Sequence, residues 1–265
     1  MIFFKKKIIF VHIPRCGGTT IEKNLWQNEF NKSFDFDESD EKHLLQGFID
    51  KYRNKYQFDG LQHLTFHNIK KIYPQEAKDF FKFSFVRNPY TRIASTYAGV
   101  MTFRKDLRNF LVLYKDTSFK KFLHLIKKNK HTHWLPMNKF FESSDLDFLG
   151  KFENFDADLE KIKDLINIKV EKKNFSGDLN FSEKFNYLNF YNDKESIDLV
   201  NEIYQDDFKR FNYTFSDFVK YEKNKISSIS MSPNLEIDQR EKTLHRFLKK
   251  FLKRKFYDFN NNIRY

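Results

Sequence analysis

The sequence predicts an α/β fold, with a central, mostly parallel sheet flanked by helices in three layers and an amphipathic basic helix added at the C-terminus. Two strand–turn–helix segments carry that expectation, together with the apolar runs at helical spacing between and after them. In the first, Ile8 to Val11 is a short β-branched and aromatic run that reads as a buried strand. Pro14 ends it, because proline cannot donate to a ladder. Gly17 and Gly18 permit backbone angles closed to other residues. Thr19 and Thr20 then offer capping hydroxyls to a helix running through Ile21, Leu25 and Trp26.

A strand, a glycine turn and a helix N-terminus together can hold an anion, through free amide N–H groups and the positive end of the helix dipole. Arg15 adds a fixed charge to the same loop. A Gly-Gly turn at such a junction is also common in α/β proteins, so the loop alone leaves an anion cradle and an ordinary turn both open. No Lys follows the glycines and G-x-x-x-x-G-K-[ST] is absent, which counts against an ordinary nucleoside triphosphatase.

The second segment covers residues 80–97. Phe81, Phe83 and Phe85 alternate with Lys82 and Ser84, and Val86 completes a strand. Arg87 therefore stands at the strand's C-terminal end, where ligands of open α/β sheets gather, and Pro89 lies in the turn into the next helix. Ser95 falls two turns into that helix, with Arg92 between. A planar bidentate donor and a short hydroxyl at a strand–helix junction suit a second phosphate. By itself, the segment fits equally an Arg paired with a local carboxylate.

The remaining chain reads as follows. Residues 34–41 form an acidic surface loop, and residues 43–56 have helical spacing in Leu44, Leu45, Phe48 and Tyr52. Gln62 to His67 precede a small helix carrying Ile69, Ile72 and Tyr73, stopped by Pro74. Residues 103–130 read as helical and basic, with Phe119, Phe122, Leu123 and Ile126 on one face and, largely elsewhere, a row of lysines that is either a solvated face or the lining of an acceptor cleft. A strand over residues 148–152 precedes a helix with Leu159, Ile162, Leu165 and Ile166. Residues 174–184 are a polar loop long enough to be a lid, and residues 195–211 a further helix. A Ser/Asn-rich break over residues 224–234 divides the chain into a body, 1–223, and a tail, 224–265. In the tail Leu244, Phe247, Leu248, Phe251 and Leu252 make an apolar stripe among Lys and Arg. Such a helix suits docking on the body or a partner, or peripheral contact with an anionic membrane.

Composition narrows the function. Over 265 residues, 48 Lys and Arg stand against 36 Asp and Glu, a net charge of +12. That excess favours an anionic ligand, acceptor or surface, although richness in Lys and Asn throughout accounts for part of it. A single cysteine, Cys16, excludes an internal disulfide and fits a reducing compartment. Its place in a positive loop admits a reactive thiol; a small residue fitting a tight turn is the plainer reading. No apolar run spans a membrane and no signal peptide is legible, so a soluble, cytoplasmic protein is expected, with peripheral attachment to the inner membrane face through the tail as an option.

Taken together, His12-Ile13-Pro14-Arg15-Cys16-Gly17-Gly18-Thr19-Thr20 and Phe85-Val86-Arg87-Asn88-Pro89-Tyr90-Thr91-Arg92-Ile93-Ala94-Ser95-Thr96-Tyr97 resemble the two donor motifs of the sulfotransferases that use 3′-phosphoadenosine 5′-phosphosulfate (PAPS). The similarity is to the carbohydrate-type branch, with its H-I-P-K-T-x-G-T-S loop. Both motifs occur in order, about seventy residues apart, and weaker similarity extends over residues 8–213. The resemblance implies a P-loop-like fold and PAPS as co-substrate. It places the 5′-phosphosulfate on Arg15, Cys16, Gly17, Gly18, Thr19 and Thr20, and the 3′-phosphate on Arg87 and Ser95. It implies no metal and no nucleic-acid partner. The acceptor would be a carbohydrate or other hydroxyl, acidic or lipid-linked glycans suiting the basic surface. His63 would be the base, with His67 as competitor, Glu22 as a distant third, His12 ordering the loop and His133 near the acceptor. Arg15 is also a catalytic candidate, replacing the family's lysine with a broader fork. Cys16 and Met137 are further departures from the pattern. Rival readings are a P-loop-like kinase or phosphotransferase, which would want a Lys after the glycines and an acidic Mg²⁺ site, and a non-catalytic basic module binding nucleic acid or membrane.

Overall fold

In the computed structural model of the protein, residues 1–30, 61–168 and 185–230 are described. The chain opens with β1 (Ile2–Phe3) and β2 (Ile8–Val11), then enters α1 (Gly18–Phe30). A 3₁₀ turn at Leu61–His63 leads to α2 (Phe66–Ile72) and α3 (Pro74–Asp79), and then to β3 (Phe81–Val86) and α4 (Pro89–Thr102). Next come α5 (Lys105–Phe110), α6 (Phe119–Lys128), β4 (Phe148–Lys151) and α7 (Phe155–Ile166). Helices α8 (Lys194–Ile203), α9 (Gln205–Phe211) and α10 (Phe215–Ser230) complete the described chain.

The fold is α/β, as expected. Four strands lie in the order β1-β2-β3-β4; β1 is antiparallel to β2, and the other pairs are parallel. Val11 pairs with Ser84, whose hydroxyl donates to the Val11 carbonyl at 2.7 Å, so β2 ends opposite the middle of β3. The two strands therefore release their loops side by side at one sheet edge. All four residues of β2 and the last four of β3 are buried; β2 reads as a continuous apolar run accordingly, whereas in β3 the buried Ser84 interrupts the run and is satisfied by the Val11 carbonyl. Ile8, Phe10, Phe83 and Phe85 pack with Ile21 and Leu25 of α1, Ile69 of α2 and Leu159 and Ile162 of α7. A second cluster joins Tyr90, Ile93 and Ala94 of α4 to Phe122 of α6, Val200 of α8 and Phe218 of α10. Residues Met1–Glu222 form one compact unit; of the second, Lys223–Tyr265, the described part is the end of α10.

Several elements differ from the sequence reading. Residues 103–130 are not one helix: α4 closes when the amides of Phe103 and Arg104 both reach the Gly99 carbonyl, and α6 restarts at a Ser118 cap. Between α5 and α6 Val112 takes a φ of +53°, which no helix accommodates. The lysine row on α6 is partly paired, Lys120 with Glu195 and Lys127 with Glu202. Residues 195–211 are two helices, because Tyr204, whose hydroxyl donates to the Trp134 carbonyl at 2.9 Å, breaks the run. The strand at 148 ends at Lys151, and Phe152 opens a 3₁₀ turn. Helix α10 continues through Asn224, where a break was expected, since no Gly or Pro intervenes before Pro233. The acidic stretch 34–41, the helix at 43–56, the loop at 174–184 and the basic stripe of the tail lie outside the described residues. No helix of the described residues is long and apolar enough to cross a membrane.

Candidate active site

The loop after β2 turns sharply at two left-handed positions, Arg15 at φ +69° and Gly17 at φ +84°. Alternation of this kind curls successive amides toward one concave side, a geometry suited to anions. Gly17 has no room for a side chain, since a Cβ there would lie 2.5 Å from the Phe155 ring. Gly18 is pressed against the His12 imidazole at Nε2. Helix α1 starts at Gly18, so Gly18, Thr19 and Thr20 sit in the first turn, where amides have no intrahelical acceptor. These residues line a cleft with His12, Arg15, Arg87, Ser95, Phe152 and Phe155. That lining holds two guanidinium groups and no carboxylate.

Cys16 does not line the cleft. Its thiol is buried against the Pro14 carbonyl and Met137 Sδ, and its amide donates to the Ile13 carbonyl at 3.3 Å. Burial pushes the thiol up to about 12, so it stays protonated and is no nucleophile. Its part is to fill the turn.

One face of α4 and the strand end before it supply the opposite wall. Arg87, Thr91, Ser95 and Gly99 recur every four residues and so share one side of the helix. Arg87 Nε donates to Thr91 Oγ1 at 3.0 Å and Nη1 to the Arg15 carbonyl at 3.1 Å, while its plane lies 4.1 Å from the Phe152 ring centroid. Ser95 Oγ accepts from Arg15 Nε at 3.0 Å and from Nη2 at 2.6 Å. The two motifs thus bond to each other directly. Arg87 is only 2% exposed, and no carboxylate pairs with it among the described residues. A buried guanidinium without a counter-charge is costly, and a bound anion removes the cost. The local Arg–carboxylate pair that the sequence left open is not what forms.

Arg92 has a different task, which its place in the motif did not reveal. Fully buried, it donates from Nε to the Pro14 carbonyl at 3.1 Å and from Nη1 to the Leu135 carbonyl at 3.0 Å. It holds the loop's backbone against α4. Met137, noted as a departure from the family pattern, lies beneath both motifs, with Sδ 3.5 Å from the Arg87 amide and 3.9 Å from Cys16 Sγ.

Histidines form the third wall. His12 Nδ1–H donates to Glu22 Oε1 at 2.6 Å, and Gln62 Nε2 donates to the other Glu22 oxygen at 2.5 Å. Both oxygens of Glu22 thereby accept from neighbouring side chains, one holding His12 and the other Gln62. His63 does not line the cleft itself; it packs edge-on against His12 with ring centroids 4.4 Å apart. His63 Nδ1 lies 3.2 Å from the His12 carbonyl, which can only accept, so Nδ1 carries the proton and Nε2 keeps its lone pair. Burial, then the neighbouring His12 and His133, hold the His63 imidazole well below the usual histidine range, and it is neutral at pH 7. The His133 ring centroid lies 5.1 Å from that of His63, and His133 Nε2 accepts from Arg104 at 2.5 Å. His67 is exposed, and α2 begins only at Phe66 behind its Thr65 cap, so His63 and His67 share no helical face. It takes no place in the site.

A model of the sulfotransferase family matches residues 1–214. The chain belongs to the sulfotransferase family. No curated protein and no solved structure matches it. In this sulfotransferase-family chain the matched region contains every cleft residue and ends just before α10.

Two further carboxylates brace the site without lining the cleft; both stand in segments of weaker family similarity, which gave them no role. Asp207 accepts from the Met137 and Asn138 amides, each at 2.8 Å, which fixes the segment beneath the loop. Glu153 accepts from the Asn88 amide and the Tyr213 hydroxyl, both at 2.8 Å, and so anchors the turn after Arg87. Both act on backbone at element ends, where a carboxylate satisfies amides that secondary structure leaves over.

Proposed function

We propose that the protein transfers a sulfuryl group from PAPS to an acceptor hydroxyl on a carbohydrate. The observation that carries this reading is Arg87, a buried guanidinium without a carboxylate partner among the described residues, sharing one cleft with Arg15 and the N-terminus of α1. An anion with two phosphate-like ends answers both walls. The phosphosulfate end would lie on Arg15 and the Gly17–Thr20 turn; the 3′-phosphate would take Arg87 and the Ser95 hydroxyl. Ser95 Oγ accepts twice from Arg15, which leaves its own O–H to donate to that phosphate.

The chemistry asked of the side chains is modest. His63 Nε2 takes the proton as the acceptor oxygen forms its new bond to sulfur, and the bond from sulfur to the bridging phosphate oxygen breaks on the opposite side. Arg15 and the first amides of α1 meet the charge that collects on the departing adenosine 3′,5′-bisphosphate. A neutral imidazole whose Nδ1–H donates to the His12 carbonyl, leaving Nε2 free, suits the base, since no proton must first be shed. His133 and Arg104 border the acceptor side, and the basic surface suits an acidic or lipid-linked glycan.

A transfer assay with sulfur-labelled PAPS against a panel of glycans and lipid-linked glycans tests the reaction. Calorimetry with adenosine 3′,5′-bisphosphate, against ATP with and without Mg²⁺, tests the cleft. Labelled product with micromolar bisphosphate binding is expected. Tighter binding of Mg-ATP than of the bisphosphate would overturn the reading in favour of phosphoryl transfer.

A further inference from the structure

Beside His131 the surface carries exposed apolar side chains, of which Phe110 also packs on the His131 and Trp134 rings. Between α5 and α6 the side chains alternate: Leu111 and Leu113 are buried, while Phe110, Val112 and Tyr114 are 47%, 77% and 70% exposed. An outward row of this kind is ordinarily polar, and single exposed apolar residues mean little. Three at alternating positions of one short segment make a patch of the sort that contacts something.

Val112 sharpens the point. Its φ of +53° is the left-handed region, which a β-branched residue avoids and Gly or Asn adopts readily. The turn is held by the Val112 amide on the Asn109 carbonyl and the Leu113 amide on the Arg108 carbonyl. Its side chain points to solvent, so packing within the protein does not offset that strain. A contact outside the chain would.

The surrounding charge indicates what the contact is. Over residues 104–121 six basic residues stand against Asp106 and Asp116. Arg104 pairs with Asp106 and Lys120 with Glu195, whereas Lys105, Arg108 and Lys121 have no carboxylate partner among the described residues. An apolar tip within a cationic collar matches the interface of an anionic bilayer, where aromatic and aliphatic side chains enter the headgroup boundary and Lys and Arg meet lipid phosphates. We propose that residues 105–115 form a membrane-docking tip, with Phe110, Val112 and Tyr114 seated in an anionic lipid surface and Lys105 and Arg108 on its phosphates. The tip is also connected to the site. The Phe110 ring lies 5.2 Å from His131, His131 lies 5.3 Å from His133, and His133 faces His63. Docking there would bring the acceptor side of the cleft toward molecules carried on the membrane.

Co-sedimentation of the full-length protein with vesicles tests this without any measurement of activity, using phosphatidylglycerol–phosphatidylcholine mixtures against pure phosphatidylcholine. Binding to the anionic vesicles that weakens with salt is expected, with at least a tenfold loss in Val112→Asp/Tyr114→Asp. Val112→Asn suits the backbone angle, so it should raise the melting temperature while lowering vesicle affinity several-fold. That pairing of effects separates a docking role from a folding defect. Failure of the wild type to bind anionic vesicles, equal binding to pure phosphatidylcholine, or full affinity in either variant would overturn the proposal. The last result, combined with lost binding in Leu248→Asp, would move the contact to the tail.

Discussion

The Arg15 guanidinium donates twice to the Ser95 hydroxyl, 3.0 Å from Nε and 2.6 Å from Nη2, although the residues are 80 apart in sequence. The contact closes the glycine loop onto α4 and sets the width of the cleft between them. Lysine, a single point charge, could not make both bonds from one side chain. Arg15 therefore changes the coupling between the two motifs more than it changes their charge.

A double-mutant cycle measures that coupling. Arg15→Lys and Ser95→Ala should each weaken adenosine 3′,5′-bisphosphate binding about tenfold, in line with about 1.5–3 kcal/mol for a hydrogen bond to a charged group. The double variant should lose little more than either alone, with an interaction energy of about 1 kcal/mol or more. Additive losses by calorimetry would mean that the contact does not carry binding.

Arg87→Met separates ligand binding from folding. The guanidinium is buried without a carboxylate among the described residues, so an apolar side chain of similar length should leave stability unchanged or raise it by about 1 kcal/mol. Bisphosphate affinity should fall at least a hundredfold in the same variant. Chemical denaturation and calorimetry report the two effects independently.

His63→Ala should lower transfer by about a hundredfold or more, while bisphosphate binding survives. Stability carries a second signature. The folded imidazole is held well below its usual value of 6.5, so at lower pH the unfolded chain binds the proton more readily than the folded one. The contribution of His63 is therefore full above about pH 6.5 and is lost progressively as pH falls below that. Denaturation between pH 5 and 7.5 should show this slope in the wild type and a shallower one in His63→Asn.

Cys16 should resist alkylation. With the thiol buried and pushed up to about 12, iodoacetamide at pH 8 should leave the folded protein unmodified and label it fully in denaturant. Rapid labelling of the native protein, read by mass spectrometry, would contradict the buried placement.

Strand β2 was legible from the sequence because burial on both faces writes itself as an unbroken apolar run, and β3 because Phe81, Phe83 and Phe85 alternate with Lys82 and Ser84 before Val86. The glycine turn was legible because only certain residues reach its backbone angles. The position of Arg87 followed from the end of its strand, and with the two motifs came the family and the outline of an anion cleft. What the sequence could not determine were relationships made by chain segments far apart. The break at Tyr204 depends on a hydrogen bond to Trp134, and the burial that separates Cys16 from the cleft depends on Met137. Neither Asp207 nor Glu153 stands in a pattern that announces the amides it satisfies. Protonation belongs to the same class: His63 resembles any histidine in sequence, and only desolvation and the rings of His12 and His133 keep it neutral. Local pattern determined which residues could form strands, turns and helix starts, because those depend on neighbours along the chain. Tertiary structure decided which charges meet, because that depends on distance through space.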